Sequence, residues 1–146
     1  MNHDGFDSLN KLFSKAARRH YQMLHDQLSE FDVFPGQPPL LRALAMRDGR
    51  SQKELAERLQ IAPATLTVML RRMEKYGLIR RRQDDADQRI SRVYITERGL
   101  EAHAAVLGEL GRIEARSFGN FSEEEKEQLR HLLLKMLTNL STERST

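Results

Sequence analysis

The 146-residue sequence predicts a mainly α-helical fold with one small β-hairpin. Three observations predict it. Two short amphipathic stretches, residues 51–59 and 63–76, meet at the tight turn Gln60-Ile61-Ala62. An arginine-rich segment with an acidic tip, Arg80 to Arg89, leads into the alternating run Arg92-Val93-Tyr94-Ile95. Apolar residues at helical spacing fill both flanks. In order, these features describe a helix-turn-helix followed by a β-wing, set between terminal helices.

Near the N-terminus Phe6, Leu9, Phe13, Ala16, His20, Leu24 and Phe31 recur at helical spacing, predicting a helix over about residues 5–32. Gly36-Gln37-Pro38-Pro39 breaks it, and a short helix from Leu40 to Arg47 stops at Asp48-Gly49. Ser51 and Glu54 have the spacing at which hydroxyl and carboxylate satisfy each other's backbone N–H groups. Leu55 and Leu59 then share a face, Ala56 allows a close helix crossing, and Ile61 fills the corner. Pro63 suits a first helical position, where its missing N–H costs nothing. Leu66, Met69, Leu70 and Met73 form the buried stripe of the second helix, and Gly77 ends it. Leu78 and Ile79 lead into the wing, whose tip, Asp84-Asp85-Ala86-Asp87-Gln88, is turn chemistry. Thr96 caps a long helix to about Ser117, Phe118-Gly119-Asn120 interrupts, and Ser122 with Glu125 repeats the capping spacing. The last helix is broadly apolar through Leu129, Leu132, Leu133, Met136, Leu137 and Leu140.

The outer face of the second helix points toward a nucleic-acid partner. Opposite its apolar stripe lie Ala64, Thr67, Val68 and Arg71, flanked by Thr65 and Arg72, with no acidic residue before Glu74. Small and hydroxyl side chains permit close approach to base edges and thymine methyls, and arginine pairs bidentately with guanine. In the wing, Arg80-Arg81-Arg82 offers cations to phosphates, with Arg80 and Arg82 expected at the interface. Arg89 stands just past the tip, where a narrow minor groove attracts an inserted arginine. The bland alternative makes Arg89 a surface partner of Asp87, and both readings hold if Asp87 orients it. Charge is distributed accordingly: residues 42–92 hold thirteen Lys and Arg against seven Asp and Glu, within a total of only +3.

On these residues the stretch resembles the MarR family of bacterial transcriptional regulators. The matching motifs are Ser51-Gln-Lys-Glu-Leu-Ala-Glu-Arg-Leu59, Pro63-Ala-Thr-Leu-Thr67, Leu70-Arg-Arg-Met-Glu-Lys-Tyr-Gly-Leu-Ile79, Asp87-Gln-Arg89 and Ile95-Thr-Glu-Arg-Gly99. The resemblance implies a homodimer that places two winged domains on a pseudo-palindromic operator. It also implies minor-groove insertion of Arg89, oriented by Asp87, and a crevice for a small aromatic or anionic effector. Two departures concern base contacts: Ala62 stands where many relatives carry Ser, and Val68 where many carry a basic residue.

The expected organisation is an N-terminal dimerisation helix (1–35), a winged helix-turn-helix DNA-binding domain (36–100) and C-terminal dimerisation helices (101–146). Burial of both greasy terminal helices between two chains fits so small a domain better than folding back on one chain. The function expected is that of a sequence-specific double-stranded-DNA-binding regulator, a repressor, with a winged-helix protein-interaction adaptor as the alternative. No cysteine is present, so disulfides and thiol sensing are excluded. No long apolar span or secretory h-region occurs, so no membrane partner and a cytoplasmic location are expected. His20, His25, His103 and Arg42 are candidates to border an effector crevice. His20 and His25 are five residues apart, off a shared helical face, so no metal site and no cofactor are expected. No phosphate loop, His-Glu-x-x-His, cysteine nucleophile or Gly-x-Ser-x-Gly elbow supports an enzyme.

Overall fold

The computed structural model describes residues 8–141. The part of the expected N-terminal helix before residue 8 lies outside them. Helix α1 runs over Leu9–Leu28, capped by Ser8, whose hydroxyl accepts the Lys11 N–H at 3.3 Å. It ends earlier than the apolar spacing suggested. A 3-10 turn, Ser29–Phe31, closes on Asp32, whose left-handed backbone (φ 59°) cannot continue a helix.

Helix α2 (Pro38–Met46) begins at the prolines expected to be only a breaker. Both sit in its first turn, where no intrahelical N–H is required. Strand β1 (Arg50–Ser51), helix α3 (Gln52–Leu59) and helix α4 (Pro63–Lys75) follow, then β2 (Ile79–Gln83), β3 (Ser91–Ile95) and α5 (Glu97–Phe118). The wing is not a simple hairpin: β3 pairs antiparallel with both neighbours in the order β1-β3-β2. Arg50 stands opposite Val93, and Arg81 opposite Val93 from the other side. Two residues of β1 carry no alternation to read. They form a strand because the outer edge of β3 offers unpaired backbone groups.

The core is continuous beneath these elements. Leu40, Leu44, Leu55, Leu70 and Leu78 are wholly buried, and Ile61 packs against the cluster from the α3–α4 corner, as expected. The Ser51 hydroxyl caps α3 by accepting the Glu54 N–H at 3.1 Å. The expected return bond is not made. The Glu54 carboxylate instead receives Arg50 at 2.7 Å, together with Arg47. Arg50 is 6% exposed, and its Nε donates to the Ala43 carbonyl at 3.0 Å, tying the end of α2 to the start of α3. A buried cation takes precedence over a cap because leaving it unpaired is the costlier choice.

Helix α4 has no side-chain cap at Ala62, as the sequence implied. It ends in a Schellman arrangement: Gly77 N–H reaches Glu74 O at 3.0 Å, and Leu78 N–H reaches Met73 O at 2.9 Å. Thr96 then welds the wing to α5. Its hydroxyl donates to Gly77 O at 2.5 Å and accepts the Gly99 N–H at 3.0 Å. At Gly99 the backbones meet so closely that a Cβ would lie 2.1 Å from Leu78 O.

Ile113 closes this first compact unit, and Glu114 opens a second. In the second, α6 (Glu123–Ser141) has the full reciprocal cap, Ser122 with Glu125, both bonds at 3.1 Å. Phe118 and Phe121 pack edge to face across the preceding turn. No residue of α6 is buried.

Candidate nucleic-acid interface

Helix α4 buries Leu66, Leu70 and Met73 and turns its opposite face outward. Ala64, Thr65, Val68, Arg71 and Arg72 are exposed, Val68 at 64% despite its apolar side chain. Thr67 is half-buried, and its hydroxyl donates to the Pro63 carbonyl at 3.0 Å. It therefore offers lone pairs and a methyl group outward, while its proton is engaged.

The three wing arginines divide by strand alternation. Arg80 and Arg82 are exposed, with Arg82 5.3 Å from the Tyr94 ring. Arg81 points the other way, onto Glu74. Its Nη2 donates to one carboxylate oxygen and its backbone N–H to the other, each at 3.1 Å. The sequence groups Arg81 with its neighbours as a cation for phosphates. The structure instead makes it the brace between wing and α4, and it holds the Glu74 carboxyl below its usual range.

The tip is a folded turn. Asp84 accepts the Ala86 and Asp87 N–H groups at 3.1 and 2.9 Å and pairs with Arg92, which also donates to Gly49 O at 3.0 Å. Arg92 and these N–H groups hold the Asp84 carboxyl below the ordinary aspartate range. Asp87 takes Arg89 Nε and Nη2, each at 3.0 Å, and the Arg89 N–H at 3.1 Å. The clamp lowers the pKa of Asp87 and raises that of Arg89. Arg89 remains 91% exposed. A guanidinium carries five N–H donors, so three stay available for an acceptor outside the protein. Local spacing exposed the Asp87–Arg89 pair, whereas the Asp84–Arg92 brace spans the hairpin and becomes evident only once register is known.

Beside these elements the first unit contains a crevice of about 800 Å³ between α1, α2, α3 and α5. Tyr21, His25, Arg42, Arg58 and His103 line it, with apolar walls from Leu24 and Val106. The Nδ1 atoms of His25 and His103 are buried without a hydrogen-bond partner. Burial lowers the His25 pKa against the raising effect of Asp26. His20 does not line the crevice. Among the described residues no cluster of His, Asp and Glu could hold a metal ion, and no helix is long and apolar enough to cross a membrane.

A model of the MarR family matches residues 35–91, the segment carrying the helix-turn-helix and most of the wing. Transcriptional regulator HosA of Escherichia coli is 33% identical over 132 residues, covering 90% of this chain and 93% of that protein. The chain belongs to the MarR family. The HTH-type transcriptional repressor MdtR of Bacillus subtilis is 29% identical over 136 residues, covering 93% of this chain and 85% of its own. Among solved structures, the S. aureus MepR–DNA complex superposes with a TM-score of 0.79 at 29% identity, over 90% of this chain and 98% of the other. The structure of MarR gives 0.75 at 27% identity, over 99% and 97%. This MarR-family chain is accordingly a DNA-binding transcriptional regulator with a winged helix fold, and not an enzyme.

Proposed function

We propose that the chain acts as a homodimeric repressor that binds an inverted-repeat operator and is released by a small anionic or aromatic effector. The observation that carries the DNA-contact assignment is the Asp87–Arg89 clamp. It presents an oriented guanidinium with three unengaged donors at a wing tip, beside a helix face whose outward residues carry no acid before Glu74. In this reading Ala64, Thr65, Thr67 and Val68 approach bases and Arg71 reads guanine. Arg72, Arg80 and Arg82 meet phosphates, and Arg89 enters the minor groove with Asp87 as its support.

Dimerisation is supported by apolar surface that the single chain leaves open. Leu9, Leu12 and Tyr21 of α1 are more than half exposed, as are Leu132, Leu134, Leu137 and Leu140 of α6. Surface of this kind marks an interaction site. Two-fold symmetry would then space two recognition helices by about one turn of DNA. The crevice supports the effector: Arg42 offers a cation, beside the His25 and His103 rings and apolar walls from Leu24 and Val106.

The test is binding to the DNA upstream of the chain's own gene against an unrelated duplex, at several salt concentrations. The reading expects a site-specific complex about a thousandfold tighter than background at matched salt. Arg89→Ala and Arg71→Ala should lose that specificity with the dimer intact. Wild-type binding by both variants would overturn the contact assignment. Weak, equal binding to every genomic duplex would assign the winged domain to a protein partner instead. A panel of aromatic carboxylates tests release, which Arg42→Ala should abolish without weakening the DNA complex.

A further inference from the structure

We propose that Phe34 is a positioning residue for DNA binding, holding Arg72 as an un-neutralised cation at the edge of the recognition helix. The inference rests on the DNA-binding reading and adds a residue outside the helix-turn-helix and wing to it. The Arg72 guanidinium carbon lies 3.5 Å from the centroid of the Phe34 ring. Tyr76, one turn further along α4, meets the same ring at a centroid distance of 5.5 Å. Phe34 therefore sits between the i and i+4 side chains of the helix, one a cation and the other an aromatic ring.

The ring is itself held in place. Gln37 is 2% exposed; its Oε1 accepts the Phe34 N–H at 3.0 Å, and its N–H donates to the Phe34 carbonyl at 3.1 Å. This double bond pair pins the Phe34 backbone to the start of α2, so the ring is part of the packed domain and not of a swinging loop.

The chemistry separates Arg72 from the carboxylate-held basic groups of the interface, and its ring contact is closer than that of Arg82 with Tyr94, 3.5 Å against 5.3 Å. Arg81, Arg89 and Arg92 are each held by a carboxylate, which orients a guanidinium but offsets its charge. Among the described residues Arg72 has no ion pair; what orients it is the face of an aromatic ring. The ring quadrupole attracts the cation from above, and stacking leaves the in-plane N–H donors pointing outward. A polyanion thus meets a cation with fixed position, full charge and a free donor edge. That combination suits a phosphate, which asks for charge and placement but carries no sequence information. The competing account makes the contact mere cover, the arginine stem shielding an apolar ring. It predicts no effect of the ring's aromaticity.

Phosphate contacts are independent of sequence, so the probe is a random-sequence duplex, with binding measured by fluorescence anisotropy at several salt concentrations. Arg72→Ala should flatten the plot of log affinity against log salt by about one phosphate contact. Phe34→Leu, which keeps apolar volume and removes the quadrupole, should flatten it similarly and weaken low-salt binding by about three- to tenfold. Phe34→Tyr should behave as wild type. The double variant Phe34→Leu/Arg72→Ala should bind no more weakly than Arg72→Ala alone. A wild-type slope in Phe34→Leu, or additive losses in the double variant, would overturn the inference while leaving the DNA-binding reading intact. If the wild-type chain itself binds no duplex, both fall together. Thermal unfolding of each variant separates loss of contact from loss of fold.

Discussion

At Arg89 the clamp separates charge from orientation, and two substitutions can test them apart. Asp87→Ala leaves the guanidinium charged but unsupported, so specific binding should weaken by about tenfold with the salt slope kept. Arg89→Ala should lose slope as well. The same turn sets a pH dependence. Asp84 and Asp87 have folded pKa values depressed by their arginine partners. Their contribution to wing order is therefore complete above the ordinary aspartate value and lost only as pH falls through the lower, folded one. The side-chain Nε–H signals of Arg89 and Arg92 should hold steady from pH 7 to about 4 and broaden only below that. Gly99 is the residue with least latitude. In Gly99→Ala the new methyl would meet Leu78 O at 2.1 Å and Ile95 Cγ1 at 2.6 Å, two contacts that demand backbone movement. Urea unfolding should show a loss of about 3 kcal/mol, the upper end for overpacking. The spacing of Thr96 and Gly99 thus has a physical reason: the hydroxyl caps the helix, and the missing side chain lets it dock.

Elements differ in how far their own residues dictate them. The α3–α4 pair, the wing and the α6 cap were legible because periodicity, proline at a helix start and Ser-to-Glu spacing are local signals. Ser51→Ala should cost about 1 kcal/mol in chemical denaturation, as loss of one capping bond. The unread features all depend on partners distant in sequence. Strand β1 exists only because β3 lies alongside it. Glu54 abandons its cap for Arg47 and Arg50, a choice set by the burial of Arg50 against Ala43. Arg81 looked equivalent to Arg80 and Arg82 until strand alternation turned it toward Glu74. Phe34 and Arg72 stand thirty-eight positions apart and meet through the packing of α2 against the helix-turn-helix core. Of the candidate contact residues, Ala64, Thr65, Val68, Arg71, Arg72, Arg80, Arg82 and Arg89 are exposed, as local spacing predicted; what holds them was not visible.

For the whole molecule, the proposed dimer would make stability a matter of association through the exposed leucines of α1 and α6. If two chains cover these faces, the melting temperature should rise with protein concentration. Leu137→Glu should yield a monomer in sedimentation and, with it, lose operator binding. A melting temperature independent of concentration would contradict the dimer. The weld between wing and α5 has a mechanical consequence. Thr96 and Gly99 join β3, the end of α4 and the start of α5 into one piece, so the wing has little freedom to move except with that helix. Residues 97–113 of α5 form a rod of about 25 Å at about 1.5 Å per residue. Pivoting that rod by about 6° at its far end shifts its wing end by about 2.6 Å, close to one hydrogen-bond length. A lever of these proportions would carry a tilt near residue 113 to the wing as a displacement large enough to break the proposed wing contacts, and Ala102 and Val106 of the core would have to repack along the way.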